Sequence, residues 1–212
     1  AGIADFSGLG GDVKATLQKM VSQLHHRGPD GTGFYHDAHI GLAHARLSII
    51  DLAGGAQPIH NEDSTIQVIF NGEIFNYVEL REELLGQGHQ FYTHSDTEVI
   101  VHLYEQHGPG FVNKLNGQFA IAIWDTNKQR LLMYRDRVGI APLYYAQTGS
   151  RITFGSEIKA ILPALAARPG VNLQALDQLM TYWAPASPNT LFEGVYELPP
   201  GFMMVMDASG MQ

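Results

Sequence analysis

Three polar clusters interrupt apolar, β-rich stretches, and each offers its own chemistry. Arg46 lies within the run from Leu42 to Leu52. Its guanidinium either reaches water along an apolar stem or grips a carboxylate through its planar fork. Asn71-Gly72-Glu73 follows the β-rich run Thr65 to Phe70. Asn-Gly is a strong hairpin signal. An asparagine amide beside a free backbone N–H is also the pair of donors that a developing oxyanion needs. Asp96 stands at the start of a helical pattern, where it either offsets the helix dipole or serves as a counter-charge for an ammonium group. Taken singly, each cluster has a sufficient structural explanation.

Other chemistries are less well supported. The chain has no cysteine, which excludes a disulfide, a thiolate metal site and a cysteine nucleophile in it. Gly8-Leu9-Gly10-Gly11 is followed by Val13 and fails the dinucleotide fingerprint. No phosphate loop, nucleophile elbow or His-Glu-x-x-His occurs. The 10 histidines show no ligand spacing on a helical face. Loop or surface positions are expected for them, and no metal site.

The elements that must position these clusters are legible in outline. Residues 2–6 read as a short strand. Val13, Leu17, Met20, Val21 and Leu24 form one face of a helix capped by Asp12. Arg27-Gly28-Pro29-Asp30-Gly31 is a turn, and residues 32–71 are mostly extended. A helix over about 77–85 starts with Asn76 and Glu79 as a capping box. Ser95-Asp96-Thr97-Glu98 caps a third helix, with Asp96 in its first turn. Strands follow at 118–124, 131–135, 143–146 and 152–154, then helices near 157–162 and 173–182, and a last strand within 199–206. Strands with helices between them, not strictly alternating and without repeats, predict a single layered α+β domain.

Composition sets the outer limits. A chain of 212 residues suits one domain, and 45% hydrophobic against 16% charged residues argues for a packed core over disorder. With 13 basic and 21 acidic side chains, the net charge of −8 disfavours a nucleic-acid partner. The longest apolar run, Ala160 to Ala167, contains Pro163 and falls far short of the roughly 20 residues needed to span a bilayer. The first residues lack the apolar stretch of a signal peptide. A cytoplasmic protein without a membrane partner is expected. Its first residue, alanine, fits removal of a leading methionine or trimming.

Read together, the clusters match one family. Gly2-Ile3-Ala4, Arg27-Gly28-Pro29-Asp30, Arg46 to Asp51 (Arg-Leu-Ser-Ile-Ile-Asp), Gln57-Pro58, Asn71 to Asn76 (Asn-Gly-Glu-Ile-Phe-Asn), Ser95 to Glu98, Gly117 to Ala120, Arg135 to Ile140 with Pro142-Leu143-Tyr144, and Ser156 to Lys159 run in family order. On these segments the chain resembles the class II glutamine amidotransferase domain, an N-terminal-nucleophile hydrolase. It is most similar to the glutaminase domain of glutamine-hydrolysing asparagine synthetases, the branch that Arg-Gly-Pro-Asp favours. The resemblance implies an α+β fold, a four-layer α/β/β/α sandwich of two antiparallel sheets. It implies hydrolysis of glutamine to glutamate and ammonia by an N-terminal cysteine whose own α-amino group is the base. Asn71 and Gly72 then match the oxyanion donors. Arg46 matches the ligand of the substrate carboxylate. Asp96 matches the ligand of its ammonium, with Glu73 and the backbone at Ile49 and Ile50 nearby. No cofactor or metal is implied for this half-reaction. The resemblance places the chain, residues 1–212, ahead of a C-terminal synthetase domain that uses ATP and Mg and receives the ammonia, with aspartate as acceptor. Homodimers are common in that family.

One departure is decisive. The family's nucleophile position is Ala1, which has neither thiol nor hydroxyl. A pocket that binds glutamine without turning it over is expected. Either the cysteine was replaced in an active amidotransferase, or it was lost naturally, as in the structural amidotransferase-like domain of β-lactam synthetases. The retained Arg46, Asn71 and Asp96 favour the first history. Asp5 replaces a usual glycine and either shares the face of residues 1 and 3, near the active centre, or points harmlessly outward. Ala141 stands where a basic residue is common.

Overall fold

The computed structural model describes residues 1–52 and 54–211. Its strands are β1 (Gly2–Asp5), β2 (Gly31–His36), β3 (Ile40–Arg46), β4 (Ile59–His60), β5 (Ile66–Ile74), β6 (Gly117–Asp125), β7 (Arg130–Arg135), β8 (Tyr144–Thr148), β9 (Arg151–Gly155), β10 (Val195–Glu197), β11 (Met203–Asp207) and β12 (Gly210–Met211). Helices are α1 (Val13–Ser22), α2 (Tyr77–Gly86), α3 (Glu98–His107), α4 (Ile158–Ile161) and α5 (Leu173–Tyr182). The strands pair antiparallel into two 6-stranded sheets, β10-β8-β9-β1-β3-β2 and β12-β11-β7-β6-β5-β4.

Strand alternation assigns every layer. Successive side chains on a strand point to opposite faces. Ala4, Leu42, Ile69, Ala120, Ala122, Trp124, Leu131 and Met133 meet between the sheets. Their chain neighbours face outward. Ile3 and Ala43 meet Leu17, Met20 and Val21 of α1. Val68, Phe70, Ile121, Ile123 and Leu132 meet Leu80, Leu84, Val99 and Leu103 of α2 and α3. The result is the expected sandwich, with helices outside two stacked antiparallel sheets.

Local signals fared unevenly. Asp12 caps α1, its carboxylate accepting from the Ala15 N–H at 2.8 Å. Asn76 precedes α2 but does not cap it. Its amide instead donates to the Lys114 carbonyl and accepts from the Asn116 N–H, tying α2 to the segment before β6. Asp96 lies ahead of α3, not in its first turn. Asn71-Gly72 is no hairpin turn: both sit inside β5, opposite Ala120 and Phe119 of β6.

Candidate functional site

The catalytic and substrate-binding candidates read from the sequence converge on one cavity of about 480 Å³. Ala1, Arg46, Ile49, Ile50, Asn71, Gly72, Glu73 and Asp96 line it. That volume lies in the range of small-molecule sites. The convergence follows from strand alternation. Leu42 faces the inter-sheet layer, so His44 and Arg46 share its face of β3. Ile69 faces the same layer from β5, so Asn71 does too. The two sheets therefore contribute opposed polar groups where their apolar filling stops.

Ala1 sits on the first sheet just before β1. Its α-amino group donates to the Ala43 carbonyl at 2.8 Å, and its own carbonyl accepts from the Ala43 N–H at 2.8 Å. Burial lowers the amine from 8.0 to about 5, so it is uncharged at neutral pH. Next to it, His44 is lowered to about 4, first by burial and then by the adjacent amine and Arg46. A neutral His44 donates from Nε2 to the Phe70 carbonyl at 3.1 Å, while Nδ1 stays buried without a partner. His44 is thus a lining residue of the cavity, contrary to the loop or surface position expected of it.

Arg46 is held by main-chain carbonyls. Nη2 donates to Ile50 and Asp51, and Nη1 to Leu52. Carbonyls orient a guanidinium without cancelling its charge. The loop it grips is braced twice more. Asp30 accepts from the Ser48 N–H at 2.7 Å, and Asp51 accepts from the His94 N–H at 2.8 Å. The turn Arg27 to Asp30 therefore supports the cavity wall, and Arg27 lines it.

Asp96 enters from the opposite side. Its carboxylate accepts from the Ile74 N–H at 3.0 Å and from the Ser95 hydroxyl at 3.4 Å. Burial pushes its carboxyl above the usual range, and the Glu73 charge adds to this. A buried carboxylate in that state gains from a cation brought beside it. Gln57, quoted only as a family motif, is buried here. It accepts from the Phe70 N–H at 2.6 Å and donates to the Thr97 hydroxyl at 3.3 Å, locking β5 to the segment carrying Asp96. Only contact across the fold reveals that role.

Gly72 has φ +152, and a Cβ there would lie 2.0 Å from the Gln118 carbonyl oxygen. The position admits glycine alone, which leaves its backbone exposed to the cavity beside the Asn71 amide. Asp5 lies outside the cavity lining, its carboxylate accepting from Ser7 and Ser150. Of the alternatives read for it, the harmless one fits. Ala141 is buried in the inter-sheet core.

The histidine expectation fails at a second place. His102 is fully buried on α3, close to His89, Glu62 and Glu105. The four come from separate elements, apart from His102 and Glu105, which are one helical turn apart.

Comparison with known proteins adds the following. A family model described as "Glutamine amidotransferase domain" matches residues 1–212. Asparagine synthetase [glutamine-hydrolyzing] 1 of Bacillus subtilis (strain 168) is 40% identical over 199 residues, covering 94% of this chain and 31% of that protein. Asparagine synthetase [glutamine-hydrolyzing] 2 of the same organism is 49% identical over 145 residues, covering 68% of this chain and 19% of that protein. The chain thus spans less than a third of the length of these relatives. In structure it is similar to a glutamine phosphoribosylpyrophosphate amidotransferase from B. subtilis, with a TM-score of 0.69 and 20% identity, over 100% of this chain and 47% of that one. That likeness shows that the two share a fold.

Proposed function

The chain belongs to the glutamine amidotransferase domain family, and from that premise we propose that its cavity binds L-glutamine as the substrate of a glutaminase half-reaction. The observation that carries the proposal is the meeting of Arg46, Asp96, Asn71, Gly72 and Ala1 around one cavity. A free amino acid brings two opposite charges. Arg46 takes the α-carboxylate through its planar fork, and Asp96, with Glu73 beside it, takes the α-ammonium. The side-chain amide then reaches toward residue 1.

In the reaction proposed for the active form, a thiolate at position 1 adds to the amide carbon, and the α-amine holds the thiol proton. The carbonyl oxygen becomes an oxyanion, stabilised by the Asn71 amide and the Gly72 N–H. Collapse expels ammonia, the amine's proton going to the leaving nitrogen, and water then frees glutamate from the thioester. The α-amine, uncharged at neutral pH, suits the role of base. A small, mostly apolar recess beside Ala1, walled by Ile69, Ala120 and Phe154, adjoins the point where ammonia leaves in this scheme.

Alanine at position 1 cannot form the acyl-enzyme, so this chain binds glutamine and leaves it intact. Loss of such a nucleophile costs on the order of 10⁶ in turnover. The relatives' greater length leaves room for a further domain; the one proposed here is a C-terminal synthetase domain that uses ATP and Mg with aspartate as acceptor. The exposed apolar face of Leu173, Leu176 and Met180 on α5, with Trp183 beyond it, suits contact with that domain. No helix among the described residues is long and apolar enough to cross a membrane, in keeping with a cytoplasmic enzyme. The test is calorimetry with L-glutamine, followed by a glutaminase assay on Ala1→Cys. Binding by the parent and ammonia release by the variant are expected. Absence of binding overturns the assignment, whereas binding with a silent Ala1→Cys favours a domain that lost catalysis naturally.

A further inference from the structure

Away from the cavity, on the outer face of the second sheet, we propose that Glu62, His89, His102 and Glu105 form a binding site for one divalent transition-metal ion of the zinc type. One ligand atom from each lies within 4.8 Å of all the others. His102 Nδ1 is 3.2 Å from Glu105 Oε2 and 3.5 Å from Glu62 Oε2. His89 Nδ1 is 3.6 Å from the same Glu105 oxygen and 3.8 Å from Glu62 Oε1. Ligands about 2.0–2.2 Å from a tetrahedral zinc stand about 3.3–3.6 Å from one another. Direct hydrogen bonds would be shorter: only the 3.2 Å contact is short enough to be one. His102 and Glu105 share one hydrogen bond, while the other contacts, at 3.5 to 3.8 Å, are close to the spacing of ligands around one ion and too long for direct pairing.

The surroundings aim the donors inward. Glu105 turns Oε1 to the buried Asn61 amide at 2.8 Å, leaving Oε2 for the site. Glu62 Oε1 accepts from the Gln90 N–H at 2.9 Å. His102, fully buried, faces Glu98 Oε1 with Nε2 at 3.6 Å, and Glu98 is itself buried. That separation is too long for a hydrogen bond, and Nε2 has no hydrogen-bond partner among the described residues, but the Glu98 charge behind it favours a proton on Nε2 and leaves Nδ1 to face the site. Three carboxylates, Glu62, Glu98 and Glu105, surround two imidazoles, and a dication balances that surplus of negative charge. Two nitrogens with two carboxylate oxygens suit zinc better than magnesium or calcium.

The ion would join three separate segments: the connection between β4 and β5, the stretch after α2, and α3. Glu98 extends the brace, accepting from the Tyr92 and Thr93 N–H groups at 2.8 and 2.7 Å, in the segment that leads to Asp96. The inference stands apart from whatever the cavity binds.

The test uses the full chain stripped with a chelator and titrated with Co²⁺, then Zn²⁺. The expected result is saturation near one Co²⁺ per chain, with the intense visible bands of a four-coordinate site, displaced by Zn²⁺, and a Tm raised by Zn²⁺. His89→Ala and Glu62→Ala, both at partly exposed positions, should lose the bands while keeping the far-UV circular dichroism of the parent. Glu98→Gln should weaken Zn²⁺ by roughly 10–100-fold. A Co²⁺ spectrum that stays that of the hydrated ion, with no Zn²⁺ shift in Tm, overturns the proposal and leaves a network of imidazolium–carboxylate pairs. So do bands that persist in both alanine variants. Should the variants not fold, the spectrum and stoichiometry of the parent chain decide.

Discussion

Arg46 and Asp96 line one cavity without pairing with each other. Arg46 directs its donors to the carbonyls of Ile50, Asp51 and Leu52, and Asp96 accepts from the Ile74 N–H. Among the described residues neither is neutralised by an opposite charge, so the pair presents a positive and a negative end to the same space. The glutamine zwitterion proposed for this space would meet an opposite charge at each end.

Removing either charge should therefore abolish most of the affinity for glutamine. Each charge-assisted contact is worth roughly 1.5–3 kcal/mol, or about 10- to 150-fold in Kd. Arg46→Ala and Asp96→Asn are expected to weaken binding by at least the lower figure, measured by calorimetry. Arg46→Lys should recover little, because an ammonium cannot offer the two parallel donors of a guanidinium. Unchanged affinity in Arg46→Ala would remove the carboxylate assignment.

Asn71 should behave differently from those two. In the Ala1→Cys background, Asn71→Ala is expected to lower kcat on the order of 10²–10³ while changing KM little, since the oxyanion exists only in the transition state. Steady-state kinetics with glutamine separate the cases. A raised KM at constant kcat would make Asn71 a ground-state binding residue.

The buried α-amine predicts a pH dependence whose sign follows from burial. Its folded value, about 5, lies below the ordinary 8.0. The folded chain thus holds fewer protons there than the unfolded chain between those limits, and stability rises with pH across that window. Burial alone accounts for the shift; the adjacent His44, lowered to about 4, carries no charge across that window. Nitrogen NMR of labelled Ala1 should show a midpoint near 5, and the Tm should climb from pH 5 to pH 8. A midpoint near 8 would mean that the amine is hydrated and not part of a dry site.

Much of this architecture could be read from the sequence where side chains alternate. The inward set Ile69, Ala120, Ala122 and Leu131 and the outward set Val68, Phe70, Ile121 and Leu132 are both apolar, which marks strands covered on two faces. The cavity residues were found through motif order, because Arg46, Asn71 and Asp96 meet only after two sheets stack. Asn-Gly misleads locally: pairing with β6 overrides its turn preference. Asn76 misleads likewise, since two partners near residue 115 outcompete the helix cap. His89 and His102 show no ligand spacing because the loop over 90–97 and the first turn of α3 separate them.

Gly72 gives the sharpest test of the strand itself. A methyl group at this position would lie 2.0 Å from the Gln118 carbonyl oxygen, and the backbone holds φ +152, which L side chains rarely adopt. Relief requires β5 and β6 to part beside Asn71, in the middle of their ladder. Gly72→Ala is expected to destabilise by about 2 kcal/mol or more, read from urea denaturation. It should also weaken glutamine binding, because parting the strands displaces the Asn71 amide. If the variant unfolded at the parent's midpoint and still bound glutamine, the close approach of Gly72 to β6 would not be what fixes this wall of the cavity.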